Sequence, residues 1–218
     1  KNKFIEERSI SDGFPKNLLI ENDSGRAEVL LKGSAVENLS LILRNGDIIK
    51  ELRDEVDAYE YDLTIIGGSA KRSMSHDMIQ YINSSIFVVN NFNKTINYKI
   101  LLAVDDSPGT KKAVKYGVRV AQAFGIKVQI ITVSEDENFK EANKKSSENA
   151  SKMMRRCGVE AETKFEIGKP VEKIIEIAGE DHIIIMGAST QSPIAKFFVG
   201  SKPLNVMQNS NCPILIVK

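Results

Sequence analysis

Short apolar runs recur between helical patterns over residues 99–218, and this alternation constrains the fold more than any other feature of the chain. Most of the runs are continuously apolar, which is typical of parallel strands buried on both faces of a sheet. The expected strands are Lys99–Val104, Lys127–Val133, Ala161–Ile167, His182–Met186 and Pro213–Val217. The pattern therefore predicts an α/β fold with a parallel five-stranded sheet and helices on both of its faces.

Helix-start and helix-stop signals separate these runs. Ser107 followed by Pro108 is typical of a helix N-terminus, and Gly125 is typical of a C-terminus. Apolar residues recur on one helical face between them, so a helix is expected there. Further helices are predicted over Asp136–Arg156, Val171–Ala178 and Pro203–Asn209.

Part of this unit recurs in the first half of the chain. The matching segments are residues 27–43 with 150–167, 45–56 with 167–178, 62–68 with 182–188, and 83–90 with 209–218. Such self-similarity indicates a duplicated unit. No counterpart of the opening strand, helix and second strand precedes the first match. The repeat predicts two Rossmann-like domains, an incomplete one over residues 1–92 and a complete one over residues 98–218.

Composition and charge argue against several functions. A net charge of +1 gives little electrostatic support for nucleic-acid binding, and no such partner is expected. No apolar run approaches the length of a membrane span, so direct membrane contact within the chain is not expected. Cys157 and Cys212 are too few for a disulfide framework and favour a reducing cytoplasm. The two histidines have no metal-type spacing, and no metal site is expected.

The carboxyl ends of the strands in the complete copy hold the candidate binding residues. Ligands of doubly wound sheets bind at this edge, where the strand order reverses. Asp105 follows the first strand, Val133 ends the second and Gly187 ends the fourth. Gly-Ser at 200–201 precedes the last helix, whose free backbone N–H groups suit a phosphate, and Lys202 adds a positive charge.

The same residues also allow an interpretation without a ligand. A glycine after a buried strand serves the turn in any such fold, and Gly-Ser before a helix is an ordinary N-cap. Spacing alone leaves both interpretations open. Nothing places a nucleophile beside a base, so an enzyme is not expected.

Residues 99–218 resemble the universal stress protein (UspA) family along their whole length. The resemblance rests on ILLAVDDSP (Ile100–Pro108), IITV (Ile130–Val133), IIIMGAS (Ile183–Ser189), VGS (Val199–Ser201) and the terminal NCPILIVK. It implies the adenine nucleotide alpha hydrolase-like variant of the Rossmann fold, in a tandem member with a degenerate first domain. ATP-binding members of the family carry a Gly-x2-Gly-x9-Gly-Ser/Thr pattern. This chain keeps the frame, with threonine in place of the second glycine.

The resemblance implies ATP, with Mg²⁺, as the ligand and assigns roles to the matching residues. Asp105 would bind the adenine or the ribose. The adenine pocket and the border of the nucleotide would consist of Ala103, Val104, Val133, Met186 and Gly187. The phosphate loop would contain Thr190, Gly200, Ser201 and Lys202.

The chain departs from the family pattern at four residues: Asp106, Thr190, Lys202 and Pro203. Thr190 is β-branched and resists the close approach that glycine allows at a phosphate, at a cost of about 1–3 kcal/mol. Asp106 adds a negative charge beside Asp105, and Pro203 removes a backbone N–H group. In the first copy, the run after Gly67 is too short for a phosphate loop, and no nucleotide is expected there.

The leading hypothesis is a non-enzymatic regulatory protein of the stress response whose second domain binds an adenine nucleotide. Domains of the family pair through their last strands, so Ser85–Val89 and Pro213–Val217 are expected to pair within the chain. A homo-oligomer is also expected. The alternative is a nucleotide-free protein-interaction module, including the cytoplasmic regulatory domain of a transporter. A hydrolase or ligase of related fold would need a Ser-Gly-Gly loop that Asp105–Thr110 does not supply.

Overall fold

The computed structural model describes residues 18–23, 26–31, 40–43, 46–67, 72–90, 97–135, 140–188 and 201–218. The chain divides into two compact units, Lys1–Leu52 and Arg53–Lys218. This division differs from the predicted boundary near residues 92–98, because strands from the first half of the chain belong to the sheet of the second unit. That residues 1–92 are an incomplete copy of the second domain stays a prediction.

The first unit contains a three-stranded antiparallel sheet in the order β1–β2–β3. Its strands are β1 (Leu18–Asp23), β2 (Arg26–Leu31) and β3 (Ser40–Leu43). Residues 27–43 match a segment, residues 150–167, that is predicted to contain a helix end and a strand. The likeness does not extend to structure in its first part, because residues 26–31 form strand β2. Two residues, Ser-Gly in sequence, separate β1 from β2, and Asp23 pairs with Arg26. This spacing is typical of a tight hairpin. The internal-repeat match of residues 27–43 with residues 150–167 gave no indication of it.

The second unit contains a seven-stranded sheet with helices between its strands. The strands are β4 (Leu63–Gly67), β5 (Ser85–Val89), β6 (Lys99–Ala103), β7 (Val128–Ser134), β8 (Ala161–Ile167), β9 (His182–Gly187) and β10 (Ile214–Val217). The helices are α1 (Ile48–Tyr59, which begins in the first unit), α2 (Arg72–Tyr81), α3 (Pro108–Phe124), α4 (Lys140–Arg156), α5 (Pro170–Ala178) and α6 (Ser201–Asn209). The strands and helices predicted over residues 99–218 are thus confirmed. Residues 136–139 of the predicted long helix and the predicted linker at 91–96 lie outside the described residues.

The strand order of the sheet is β4–β5–β10–β9–β6–β7–β8. From β10 to β8 all neighbours are parallel. β7 and β8 follow on one side of β6, whereas β9 and β10 lie on its other side, so the strand order reverses between β6 and β9. The structure therefore confirms the α/β fold and places the switch point between these two strands.

β5 and β10, the strands for which the sequence predicts pairing, are antiparallel neighbours. Val88 lies opposite Ile214, and Ile86 lies opposite Ile216. Both apolar strands are thereby removed from the sheet edge, where exposed backbone groups invite unwanted pairing. The C-terminal residue adds to this junction: the Lys218 ammonium group donates to the carbonyl oxygen of Ile82. Burial lowers the pKa of Lys218 to about 8.

The core of the second unit has two layers. On one face, α3 and α4 pack over Ile100, Leu102 and Ile130 of the central strands. Side chains alternate along a strand, so Leu101, Ile131 and Ile184 face the opposite side, where α5 contacts β7 and β9. Among the described residues, no helix is long and apolar enough to cross a membrane.

Candidate functional site

The predicted site lies where β6 and β9 end side by side. Ala103, the last residue of β6, is opposite Met186 of β9 and Ile131 of β7. Strand alternation puts Ala103, Met186 and Val133 on the face that α5 covers. The side chain of Val104 points the other way and is buried in the α3–α4 core, with 4% of its surface exposed. Its side chain is therefore enclosed by protein, although its backbone lies at the edge of the sheet.

Asp105 is half-buried, and its carboxylate organises the start of α3. Oδ1 accepts hydrogen bonds from the Ser107 N–H group (3.1 Å) and the Thr110 hydroxyl (2.7 Å). The Asp105 N–H group in turn donates to the Thr110 hydroxyl oxygen at 3.2 Å. Ser107, the N-cap residue, makes no side-chain cap bond, so the Asp105 carboxylate serves the helix start in its place. No hydrogen bond between described residues uses Oδ2.

Thr110, which no sequence pattern singled out, holds the Asp105 carboxylate in position. The signal for it was the spacing itself: an Asp just before a Ser-Pro helix start, with a hydroxyl residue inside the first turn. The boundaries of α3 agree with prediction. Pro108 is its first residue, and Gly125 ends it in the left-handed conformation, with φ of 63°.

Gly187 is in direct contact with the first turn of α3. A Cβ atom at this position would lie 2.6 Å from the carbonyl oxygen of Gly109, which is closer than real Cβ atoms approach. The converse also holds, because a Cβ atom on Gly109 would lie 2.8 Å from the carbonyl oxygen of Ala188. Close helix–strand packing therefore requires glycine at residue 187 with or without a nucleotide.

The start of α6 agrees with the predicted helix start, and Ser201 and Lys202 are both exposed. Lys202 lines a cleft of about 1000 Å³ between α5 and α6, together with Glu135 and Lys169. Within the described part of the chain, no other predicted site residue lines this cleft. Thr190 and Gly200 lie outside the described residues, so the geometry of the predicted phosphate loop stays a prediction.

A Cys-His-Asp cluster lies at the opposite, amino-terminal edge of the strands. The Cys212 thiol donates to the carbonyl oxygen of Gly179 at 3.0 Å, and burial raises its pKa. His182 Nδ1 lies 2.7 Å from Asp181 Oδ1, and Lys99 Nζ lies 3.1 Å from Asp181 Oδ2. The hydrogen bond from Lys99 is the main cause that lowers the pKa of Asp181. The cluster therefore holds a neutral thiol that acts as a hydrogen-bond donor.

Two of the solved structures with this fold, both from Archaeoglobus fulgidus, show the similarity. One universal stress protein superposes with a TM-score of 0.61 at 19% identity, covering 81% of this chain and 67% of its own. The other has a TM-score of 0.51 at 23% identity, covering 56% of this chain and all of its own. These similarities support the fold.

Sequence relatives and a family model give the family. Universal stress protein MJ0531 of Methanocaldococcus jannaschii is 26% identical over 55% of this chain and 81% of its own length. A universal stress protein of Thermus aquaticus is 32% identical over 55% of this chain and 97% of its own. The model of the universal stress protein family matches residues 97–218, more than half of the chain. The chain therefore belongs to the universal stress protein family.

Proposed function

We propose that this protein is a non-catalytic regulator that binds an adenine nucleotide, ATP with Mg²⁺, at the carboxyl edge of β6 and β9. The observation that carries the proposal is Asp105. It stands at the reversal of strand order, its Oδ1 is held by Ser107 and Thr110, and its Oδ2 has no bond to a described residue. A carboxylate in this place accepts hydrogen bonds from ribose hydroxyls, as acidic residues do in related folds.

The surrounding residues fit the rest of the nucleotide in part. Ala103 and Met186 offer a small apolar surface for the adenine, next to half-buried Val133. The exposed start of α6 at Ser201 suits a phosphate, since first-turn N–H groups carry partial positive charge. Pro203 removes one of these donors, and Lys202 supplies a cation nearby. Thr190 and Gly200 complete the proposed phosphate loop.

The experiment is calorimetric titration of the full chain with Mg-ATP, with AMP and GTP as controls. Asp105→Asn keeps an acceptor for Ser107 and Thr110 but replaces Oδ2 with a donor, so helix α3 is preserved. We expect one site with Kd on the order of micromolar, weakened about tenfold or more in Asp105→Asn. Asp106→Asn is the matched control and should bind at least as tightly, because it removes a negative charge near the phosphates. No heat up to millimolar ATP in a folded sample contradicts the proposal.

A second candidate function is a nucleotide-free interaction module, including the cytoplasmic regulatory domain of a transporter. The observation that favours it is the contact between Gly187 and Gly109, which explains the first glycine of the family pattern without a ligand. The titration above separates the two candidates, because a nucleotide-free interaction module would release no heat on titration with ATP, and Asp105→Asn would not change this result.

The remaining parts of the proposal concern catalysis, location and assembly. The raised pKa of Cys212 supports the absence of an activated thiolate, and two unpaired cysteines support a reducing cytoplasm.

We also propose a homo-oligomer. Its interface would use surfaces other than strands β5 and β10, since these two strands pair with each other within the chain. Sedimentation equilibrium tests this directly, and a mass equal to the 24.2 kDa monomer contradicts it.

A further inference from the structure

An apolar groove of about 880 Å³ lies beside the junction of β5 and β10. Its open floor is formed by Leu63 and Ile65 of β4, Phe87 of β5 and Ile183 of β9, and the buried side chains of Ile185 and Leu215 lie beneath them. One wall is the last turns of α3, with Val120 and Phe124. The exposed fractions of Ile65 and Phe124 are 64% and 73%, far above those of core side chains. The groove is therefore open to solvent.

Comparison of the matching strands shows what this face lacks. β4 and β5 match β9 and β10 in sequence, and α3 packs against β9 and β10 on this face. Among the described helices, none covers Leu63 and Ile65 in the same way, and both stay exposed. The Tyr116 hydroxyl donates to the carbonyl oxygen of Asp62 at 3.1 Å, which ties α3 to the start of β4. The uncovered part of the sheet thus has an apolar face that lacks the second layer such faces need.

The charged residues around the groove favour an anionic partner. Helix α3 contains no acidic residue, and its basic residues are all exposed: Lys111, Lys112, Lys115 and Arg119. No ion pair with another described residue is present for any of these four. Lys99 and Lys127 line the groove, and none of its described lining residues is a carboxylate. Lys99 is paired with Asp181 at 3.1 Å, whereas Lys127 has no ion pair with another described residue. The groove lining therefore has no carboxylate of its own and contains Lys127, and one of its walls belongs to a helix whose charged residues are all basic.

We propose that this groove binds an amphipathic α-helix of a partner protein. The apolar stripe of the helix lies on the sheet, and its carboxylates lie along α3 and beside Lys127. A helix fits because it supplies the missing layer next to α3, where helices pack 8–10 Å apart. Pairing of β4 with β4 of a second copy would extend the sheet but leave the apolar floor uncovered. The groove is separate from the nucleotide edge, so the proposal holds with or without ATP binding.

The test uses a designed, fluorescein-labelled peptide of about 15 residues with leucines at i, i+3, i+4 and i+7 and glutamates elsewhere. Its binding to the full chain is measured by fluorescence anisotropy. Two control peptides replace the glutamates with lysines or scramble the order of the residues. We expect saturable binding of the acidic peptide and about tenfold or more weaker binding of both controls. Equal binding of the lysine peptide overturns the proposal.

Variants locate the binding surface. Ile65→Lys and Phe124→Glu change exposed side chains and should keep the fold, which circular dichroism and a thermal melt verify. Each should weaken peptide binding about tenfold, because a charge would be buried under the helix. Ile167→Lys, at the end of edge strand β8 and 47% exposed, is the matched control and should have no effect. Lys112→Glu with Arg119→Glu should also weaken binding of the acidic peptide.

Three further outcomes overturn the proposal. Unchanged binding in Ile65→Lys and Phe124→Glu places the peptide elsewhere on the protein. Binding of a fatty acid in the groove, without binding of any helix, identifies a small apolar ligand instead. A dimer that Phe124→Glu converts to a monomer, in a protein that binds no peptide, identifies a second copy as the occupant.

Discussion

β4 and β9 have closely similar sequences but very different surroundings. Leu-Thr-Ile-Ile-Gly at 63–67 matches Ile-Ile-Ile-Met-Gly at 183–187. Ile185 is fully buried, with 0% of its surface exposed, whereas the matching Ile65 is 64% exposed. β9 lies between β6 and β10 under α3, while β4 is the edge strand. The comparison shows that an apolar strand sequence specifies a strand, whereas its neighbours decide how much of it is buried.

Substitution of the glycines that end β4 and β9 should give the largest difference in the free energy of unfolding. In Gly187→Ala the new Cβ atom would meet the backbone of Gly109, which cannot move without displacing α3. We expect a loss of about 3 kcal/mol or more in the free energy of unfolding, measured by denaturant titration. Gly67→Ala changes an exposed residue of an edge strand and should cost less than about 1 kcal/mol. Equal losses would mean that the contact with α3 does not constrain β9.

Truncation of the matching isoleucines is the next comparison. Ile185→Ala removes fully buried methylene and methyl groups and should cost about 2–4 kcal/mol. Ile65→Ala, on the groove floor, should cost less than about 1 kcal/mol, because most of this side chain already contacts water. Urea unfolding of both variants measures the two losses in the free energy of unfolding. A large loss at Ile65 would show that the groove is covered in solution.

The free energy of unfolding should depend on pH through Lys218, which lies at the junction of β5 and β10. Burial lowers the pKa of this lysine to about 8, so the folded state releases its proton at lower pH than the unfolded state. Stability should therefore rise as the pH increases from about 8 towards 10.5, the ordinary pKa. Because the group is only partly buried, we expect an effect on the order of 1 kcal/mol. Lys218→Met should be the more stable protein at pH 7, and its advantage should shrink by pH 10.

A small effect is expected at the start of α3, the helix that packs against β9. Within the described part of the chain, no helix covers the matching face of β4 in the same way. Thr110→Val removes the hydroxyl that donates to Asp105 but keeps the shape of the side chain. We expect a loss of about 1 kcal/mol in the free energy of unfolding and weaker ATP binding. Thr110→Ser keeps the hydroxyl and serves as the control. Unchanged ATP affinity in Thr110→Val would show that the hydroxyl does not position the carboxylate.

Much of the second unit could be predicted from local patterns. Apolar runs identified the strands, and the Ser-Pro and Gly125 signals identified the boundaries of α3. Local patterns also placed Asp105 and Gly187 at the carboxyl edge. The hairpin of β1 and β2 was missed, because a short apolar run fits a helix end and a strand equally well and only pairing distinguishes them.

The sequence by itself determined the α/β fold class and the positions of the strands, and it placed Asp105 and Gly187 at their carboxyl ends, since these features depend on local periodicity and on strand order. The tertiary structure alone decided that the Val104 side chain lies within the core, that Thr110 holds Asp105, and that Gly187 meets Gly109. It also decided that matching isoleucines are buried in one strand and exposed in another. These facts depend on contacts between residues distant in sequence, which no local pattern contains.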